Sequence, residues 1–134
     1  MRILLSTLCF LLVGVFSTFG QLDENPATWS HEVNKLSDSE FELIFIGKIA
    51  EGWHVYSQYT AEGGSLPSEF TFEKAGEDYE LIGKTTESET IKEYSDIFEV
   101  EETFFKKEAI FTQKIKILNP DVNRLTSGFR ILIF

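Results

Sequence analysis

Apolar and polar positions alternate along most of the chain with a period of two, the signature of strands rather than helices. Phe41, Leu43, Phe45 and Ile49 fall on one face of an extended segment, and Glu42, Ile44, Ile46 and Lys48 on the other. Both faces are partly apolar, so this segment reads as a central strand. Gly52 breaks it, and Trp53 to Ser57 resumes as an extended piece. Gly63, Gly64 and Pro67 punctuate the next loop. Phe70 and Phe72 then alternate with Glu69, Thr71 and Glu73, one dry face and one wet. Ala75 and Gly76 mark a turn before Tyr79 and Leu81. Phe111, Ile115 and Ile117 alternate with Thr112, Lys114 and Lys116, and Asn119-Pro120-Asp121 makes a turn. Phe129, Ile131 and Ile133 belong to a last strand. No window keeps a helical face for three turns. Several short strands divided by turn signals predict an all-β chain folded as a β-sandwich.

Residues 1–20 stand apart from this pattern. Arg2 is followed by a mostly apolar, uncharged run from Ile3 to Phe16, and Thr18 and Gly20 are small enough for the pocket of a signal peptidase. The run is short for a membrane span of about 20 residues. Cleavage after Gly20 is expected, leaving residues 21–134 as one periplasmic or secreted domain. Cys9 lies inside the apolar run and not at its end, which disfavours a lipoprotein.

Composition narrows the chemistry. The 134 residues carry 12 Lys+Arg against 22 Asp+Glu, a net charge of -10. Removing Arg2 with the leader leaves 11 basic residues and a charge of -11. Such acidity argues against a nucleic-acid partner, because binding there rests on Lys and Arg neutralising phosphates. Cys9 is the one cysteine, so the mature piece has none, and neither an internal disulfide nor a Cys-pair metal site can form in it. No Gly-rich phosphate loop and no His/Cys metal spacing occurs, and no metal or cofactor is expected.

Candidate chemistry is sparse. His31 and His54 are the only histidines. On a strand, His54 and Tyr56 share one face and Trp53 and Val55 the other. A His54/Tyr56 acid–base pair would serve a hydrolase, but no nucleophile accompanies it, and a structural strand with polar tips is the simpler reading. Trp29, Trp53, Tyr56 and Tyr59 offer the rings for a sugar-stacking platform, although aromatics in a sandwich more often pack in the core. Glu99, Glu101 and Glu102 read as a solvated loop or edge. Phe98 lies in Tyr94-Ser95-Asp96-Ile97-Phe98-Glu99, an aromatic among acids between two strand regions. It is either a contact residue or a loop side chain folded back onto the core.

Several of these segments resemble a known family. Gly52-Trp53-His54-Val55-Tyr56-Ser57, then Leu66-Pro67-Ser68-Glu69-Phe70, then Phe111-Thr112-Gln113-Lys114-Ile115 look like the N-terminal periplasmic domain of the thiol:disulfide interchange protein DsbD family, in matching order and spacing. The resemblance implies an immunoglobulin-like β-sandwich. It implies a relay in which a cysteine pair takes electrons from a membrane electron-transfer domain and passes them to periplasmic thioredoxin-like partners. In that family a Phe-bearing loop caps the pair, and Ser95-Asp96-Ile97-Phe98 matches it by position, so Asp96 and Phe98 become the cap-loop and partner-contact candidates. The cysteines themselves are absent. Gly128-Phe129-Arg130-Ile131-Leu132-Ile133-Phe134 resembles the strand that leads into the first of them. Five of the residues 129–134 are apolar and the chain stops within that run, so the reading is of a domain incomplete at its C-terminus, lacking at least the rest of a strand, and redox-inert as it stands. The alternative is a secreted, non-catalytic sandwich that binds a glycan or peptide.

Overall fold

Strand formation follows the alternation, and the register decides which face becomes the core. The computed structural model describes residues 26–121 and the backbone of residues 128–130. Nine strands are seen in chain order: β1 (Ala27–Lys35), β2 (Glu40–Ile49), β3 (Val55–Tyr56), β4 (Glu69–Thr71), β5 (Tyr79–Glu87), β6 (Ile91–Ser95), β7 (Val100–Phe105), β8 (Glu108–Ile117) and β9 (Gly128–Arg130). Every strand pair is antiparallel. One sheet has the order β1-β2-β8-β5, a second β3-β7-β6, and β4 pairs with β9 as a short ribbon. The fold is an immunoglobulin-like β-sandwich, with no helix among the described residues.

The core lies between the two larger sheets. β2 contributes Leu43, Phe45 and Ile49, β8 contributes Ala109, Phe111 and Ile115, and Tyr79 of β5 joins them. Val55 and Phe105, opposite each other in β3 and β7, close the core from the second sheet. Phe111 is completely buried and stands within 5.2 Å of Phe105, 4.8 Å of Phe70 and 6.2 Å of Trp29, ring centre to ring centre. Phe70 and Phe72 lean onto this cluster from β4 and just beyond it, while Glu69, Thr71 and Glu73 face solvent. β2 is central, as its two partly apolar faces predict. Its outer face carries cross-strand polar pairs, Asn34 with Glu42 and Lys48 with Glu108.

Two places required special backbone or space. Trp29 lies across Gly47, its strand partner, and a Cβ there would stand 2.5 Å from the indole. The ladder between β5 and β8 slips between Ile82 and Thr86. The buried Gln113 side chain fills that slip: its amide nitrogen donates to the carbonyls of Ile82 and Gly83 at 3.4 and 3.3 Å, and its oxygen accepts from Thr85 Oγ1 at 2.8 Å. A polar side chain in the core is tolerable only with such satisfaction.

The predicted leader, residues 1–20, and Cys9 lie outside the described residues, as do Ile131 and Ile133. No helix among the described residues is long and apolar enough to cross a membrane.

Candidate functional site

β6 and β7 form a hairpin whose tip, residues 96–99, holds Asp96 and Phe98. Ser95 closes the turn twice. Its carbonyl accepts from Glu99 N at 2.7 Å and its Oγ from Phe98 N at 3.3 Å. A serine hydroxyl competing for backbone donors is a common way to arrest a strand and begin a turn. Glu99 takes φ +57°, the left-handed region that non-glycine residues rarely occupy. The turn thrusts two large apolar side chains outward: Ile97 is 86% exposed and Phe98 47% exposed. Phe98 is therefore not folded back onto the core. Tyr94 and Ile91 of β6 are exposed as well, on opposite faces of the strand. Acids surround the tip, with Asp96, Glu99 and Glu101 all exposed and Lys92 lying 3.9 Å from Glu101.

The base of the hairpin is clamped. Gly63 and Gly64 bring the loop after β3 against Val100, and a Cβ on Gly64 would come within 2.9 Å of that side chain. Next to it Glu102 is buried and accepts from Ser65 N at 2.6 Å. This corrects the reading of Glu99, Glu101 and Glu102 as a uniformly solvated cluster: the third acid points under the loop and takes a backbone donor there. Its partner is 37 positions away, a contact that local pattern does not reveal.

His54 and Tyr56 do share a face, with ring centres 6.3 Å apart and edge-on. His54 stacks on the buried Phe104 at 4.3 Å, and Lys106 Nζ stands 5.4 Å from the centre of that same ring. Burial is the main cause that holds the His54 pKa below the ordinary imidazole value. Lys106 adds to the lowering, and Glu93 and Glu102 partly oppose it. No serine or threonine oxygen is hydrogen-bonded to His54 among the described residues. Ser57, the nearest serine or threonine in sequence, is instead buried and donates to Glu87 at 2.6 Å. That carboxylate also accepts from Gln58 N at 2.8 Å, and Ser57 N donates to Thr103 O at 2.9 Å. Residues 57–60 are thus a polar staple between β5 and β7. The pattern carries packing and hydrogen bonding, not a nucleophile beside a base.

The four candidate stacking rings do not gather. Trp29 packs on the core and Tyr56 is buried, which leaves Trp53 and Tyr59 exposed. The alternation of Trp53 with Val55 also fails, because Trp53 is still within the turn. Its N–H donates to Ala50 O at 3.1 Å, and β3 starts only at Val55. No group of three or more His, Cys, Asp or Glu side chains suited to a metal exists among the described residues.

No known protein family and no curated protein sequence matches this chain. Among solved structures, it is similar to the N-terminal periplasmic domain of ScsB from Proteus mirabilis, with a TM-score of 0.59 and 17% identity over 84% of this chain. The match covers 42% of that structure's length, so the chain spans less than half of it. At such identity the likeness shows a shared fold.

Proposed function

We propose that this chain is the relay domain of a periplasmic protein-disulfide reductase system, of the DsbD type, with the β6–β7 tip as the cap over its redox centre. The observation that carries the reading is the tip itself: Phe98 is held outward by a turn closed at Ser95 and clamped at its base by Gly64 and Ser65. Phe98 is half-exposed and stands outside the core cluster. Such a placement suits a side chain that covers something supplied from elsewhere. The domain shares its fold with a periplasmic domain, which agrees with export after removal of residues 1–20.

The cysteine pair is supplied beyond Phe134, where the resemblance places it. In the reaction, a cysteine thiolate attacks one sulfur of a thioredoxin-like partner's disulfide. A mixed disulfide forms and the partner's second sulfur leaves as a thiolate. The second cysteine of the pair then attacks the mixed disulfide. The partner departs as a dithiol with two electrons and two protons gained, and the domain's pair is left as a disulfide. A membrane electron-transfer domain re-reduces it. Phe98 and Asp96 limit access between these events.

The test uses the intact gene product. Phe98→Ala is expected to raise the rate at which hydrogen peroxide oxidises the reduced pair severalfold, leaving the fold unchanged. An equal rate removes the cap role. An intact product with no reactive thiol pair removes the relay altogether and favours a secreted sandwich that binds a glycan or peptide.

A further inference from the structure

The opposite end of β7 holds a second feature, independent of any relay. Lys106 and Lys107 are the two residues between β7 and β8. Lys107 takes φ +67°, and its carbonyl accepts from Ile49 N at 2.8 Å, tying this turn to the end of β2. Facing it is a second tight turn in which Gly52 has φ +84° and Trp53 N closes on Ala50 O. Between the turns lies an open cleft of about 570 Å³ whose lining includes Ile49, Glu51, Trp53, His54, Lys106 and Lys107. That is within the size range of small-molecule sites, about 300–1,000 Å³.

The lining is unusual for this chain. Acids outnumber bases by 22 to 12, and Lys35, Lys48, Lys74 and Lys92 each have a carboxylate within 4 Å. Lys106 and Lys107 have none among the described residues. Lys114 and Lys116, which also lack an ion pair, share the open face of β8 across from Glu42, Glu40 and Glu80 rather than lining a concavity. Trp53 is 42% exposed and offers a flat face, and His54 with the Phe104 ring behind it adds more aromatic surface. Glu51 is the single acid in the lining, so the fixed charge there is +1. A concave site with one net positive charge and a flat apolar wall has a definite complement.

We propose that this cleft binds a small monoanionic ligand with a flat apolar body, of the aromatic carboxylate class, its ring against Trp53 and its carboxylate between Lys106 and Lys107. An ammonium donates up to three hydrogen bonds, and its flexible stem can turn to meet a carboxylate at some cost in rotamer entropy. The cleft is recessed between two turns, which suits a small ligand better than the flat headgroup plane of a membrane.

Naphthoate and its neutral counterpart naphthamide test this on the full chain, read from the indole N–H of Trp53 and the ring protons of His54 by NMR. Naphthoate is expected to shift both saturably and to bind about tenfold or more tightly than naphthamide, the ratio that one charge-assisted contact confers. Lys106→Gln combined with Lys107→Gln should abolish the preference while the rest of the spectrum keeps its dispersion, and Glu51→Gln should strengthen naphthoate binding. Equal affinity for the two compounds, shifts that miss Trp53 and His54, or a preference that survives loss of both lysines would each overturn the assignment.

Discussion

The two ends of β7 are opposites built on one strand. At Val100 the chain emerges from an acidic, apolar-tipped turn braced by glycines. At Phe105, five residues and roughly 17 Å later, it enters a basic turn facing an aromatic wall. The tip at residues 96–99 is held mainly by its own backbone and by one loop, whereas the Lys106 turn is tied into β2 and lies beside a segment stapled to β5. Exposed chemistry can differ this sharply over a short distance because the core beneath is shared. Phe105 and Val55 face inward, and Phe104, Tyr56 and His54 form a layer on the other side of the sheet.

Removing the shared support should erase the contrast. Phe105→Ala empties a fully buried site in contact with Phe111, and a loss of about 3–5 kcal/mol is expected in urea unfolding, with both ends loosened together. Ser57→Ala acts on one end. It deprives Glu87 of a hydrogen bond and Tyr59 N of its acceptor. The expected cost is about 2 kcal/mol, with hydrogen exchange rising around residues 53–60 and little changed at the tip. Gly64→Ala acts on the other. Its new methyl meets Val100 and Glu102 side chains that can yield by small movements, so a cost of about 1 kcal/mol is expected, with exchange rising at residues 96–100 alone. If either variant loosens both ends equally, the two are one cooperative unit and the comparison fails.

The smallest effect is a pH dependence confined to the basic end. His54 in the folded chain binds its proton less readily than in the unfolded chain, chiefly through burial and then Lys106, against the pull of Glu93 and Glu102. As pH falls, the unfolded chain takes up the proton first. His54 thus costs no stability above the ordinary imidazole value of 6.5, and the penalty grows as pH falls from there towards the folded-state pKa. Wild type should lose more stability than His54→Asn between about pH 7.5 and pH 5, measured by urea midpoint; parallel curves would refute it.

Much of the sandwich was legible because period-two alternation reports burial directly. β2, β4 and β8 show their dry faces in the sequence, and the Phe70 and Phe72 pair behaves as its pattern indicates. The turn at Asn119 and Asp121 also forms, with Asp121 N donating to Asn119 Oδ1 at 3.1 Å. What escaped were contacts over long sequence separations. Nothing near Glu102 indicates that Ser65 will cover it, nothing near Ser57 points to Glu87, and the slip that Gln113 repairs exists only once β5 and β8 are paired. The tip was legible as a loop, but its outward Phe98 depended on a hydroxyl at Ser95 and a left-handed Glu99. The cleft was missed because its walls come from two turns that are distant in sequence and are brought together by the Ile49–Lys107 hydrogen bond and the pairing of Val55 with Phe105.

The slip at Gln113 has a bearing on how copies of this chain meet. β5 is the last strand in its sheet order, and an edge strand with an unbroken row of N–H and C=O groups is a template for intermolecular pairing. Here the regular row runs only from Tyr79 to Ile82 before the irregularity at Gly83 and Thr85. A strand arriving from a second copy would find four consecutive residues in register and then a bend, with the carbonyls of Ile82 and Gly83 already engaged by Gln113.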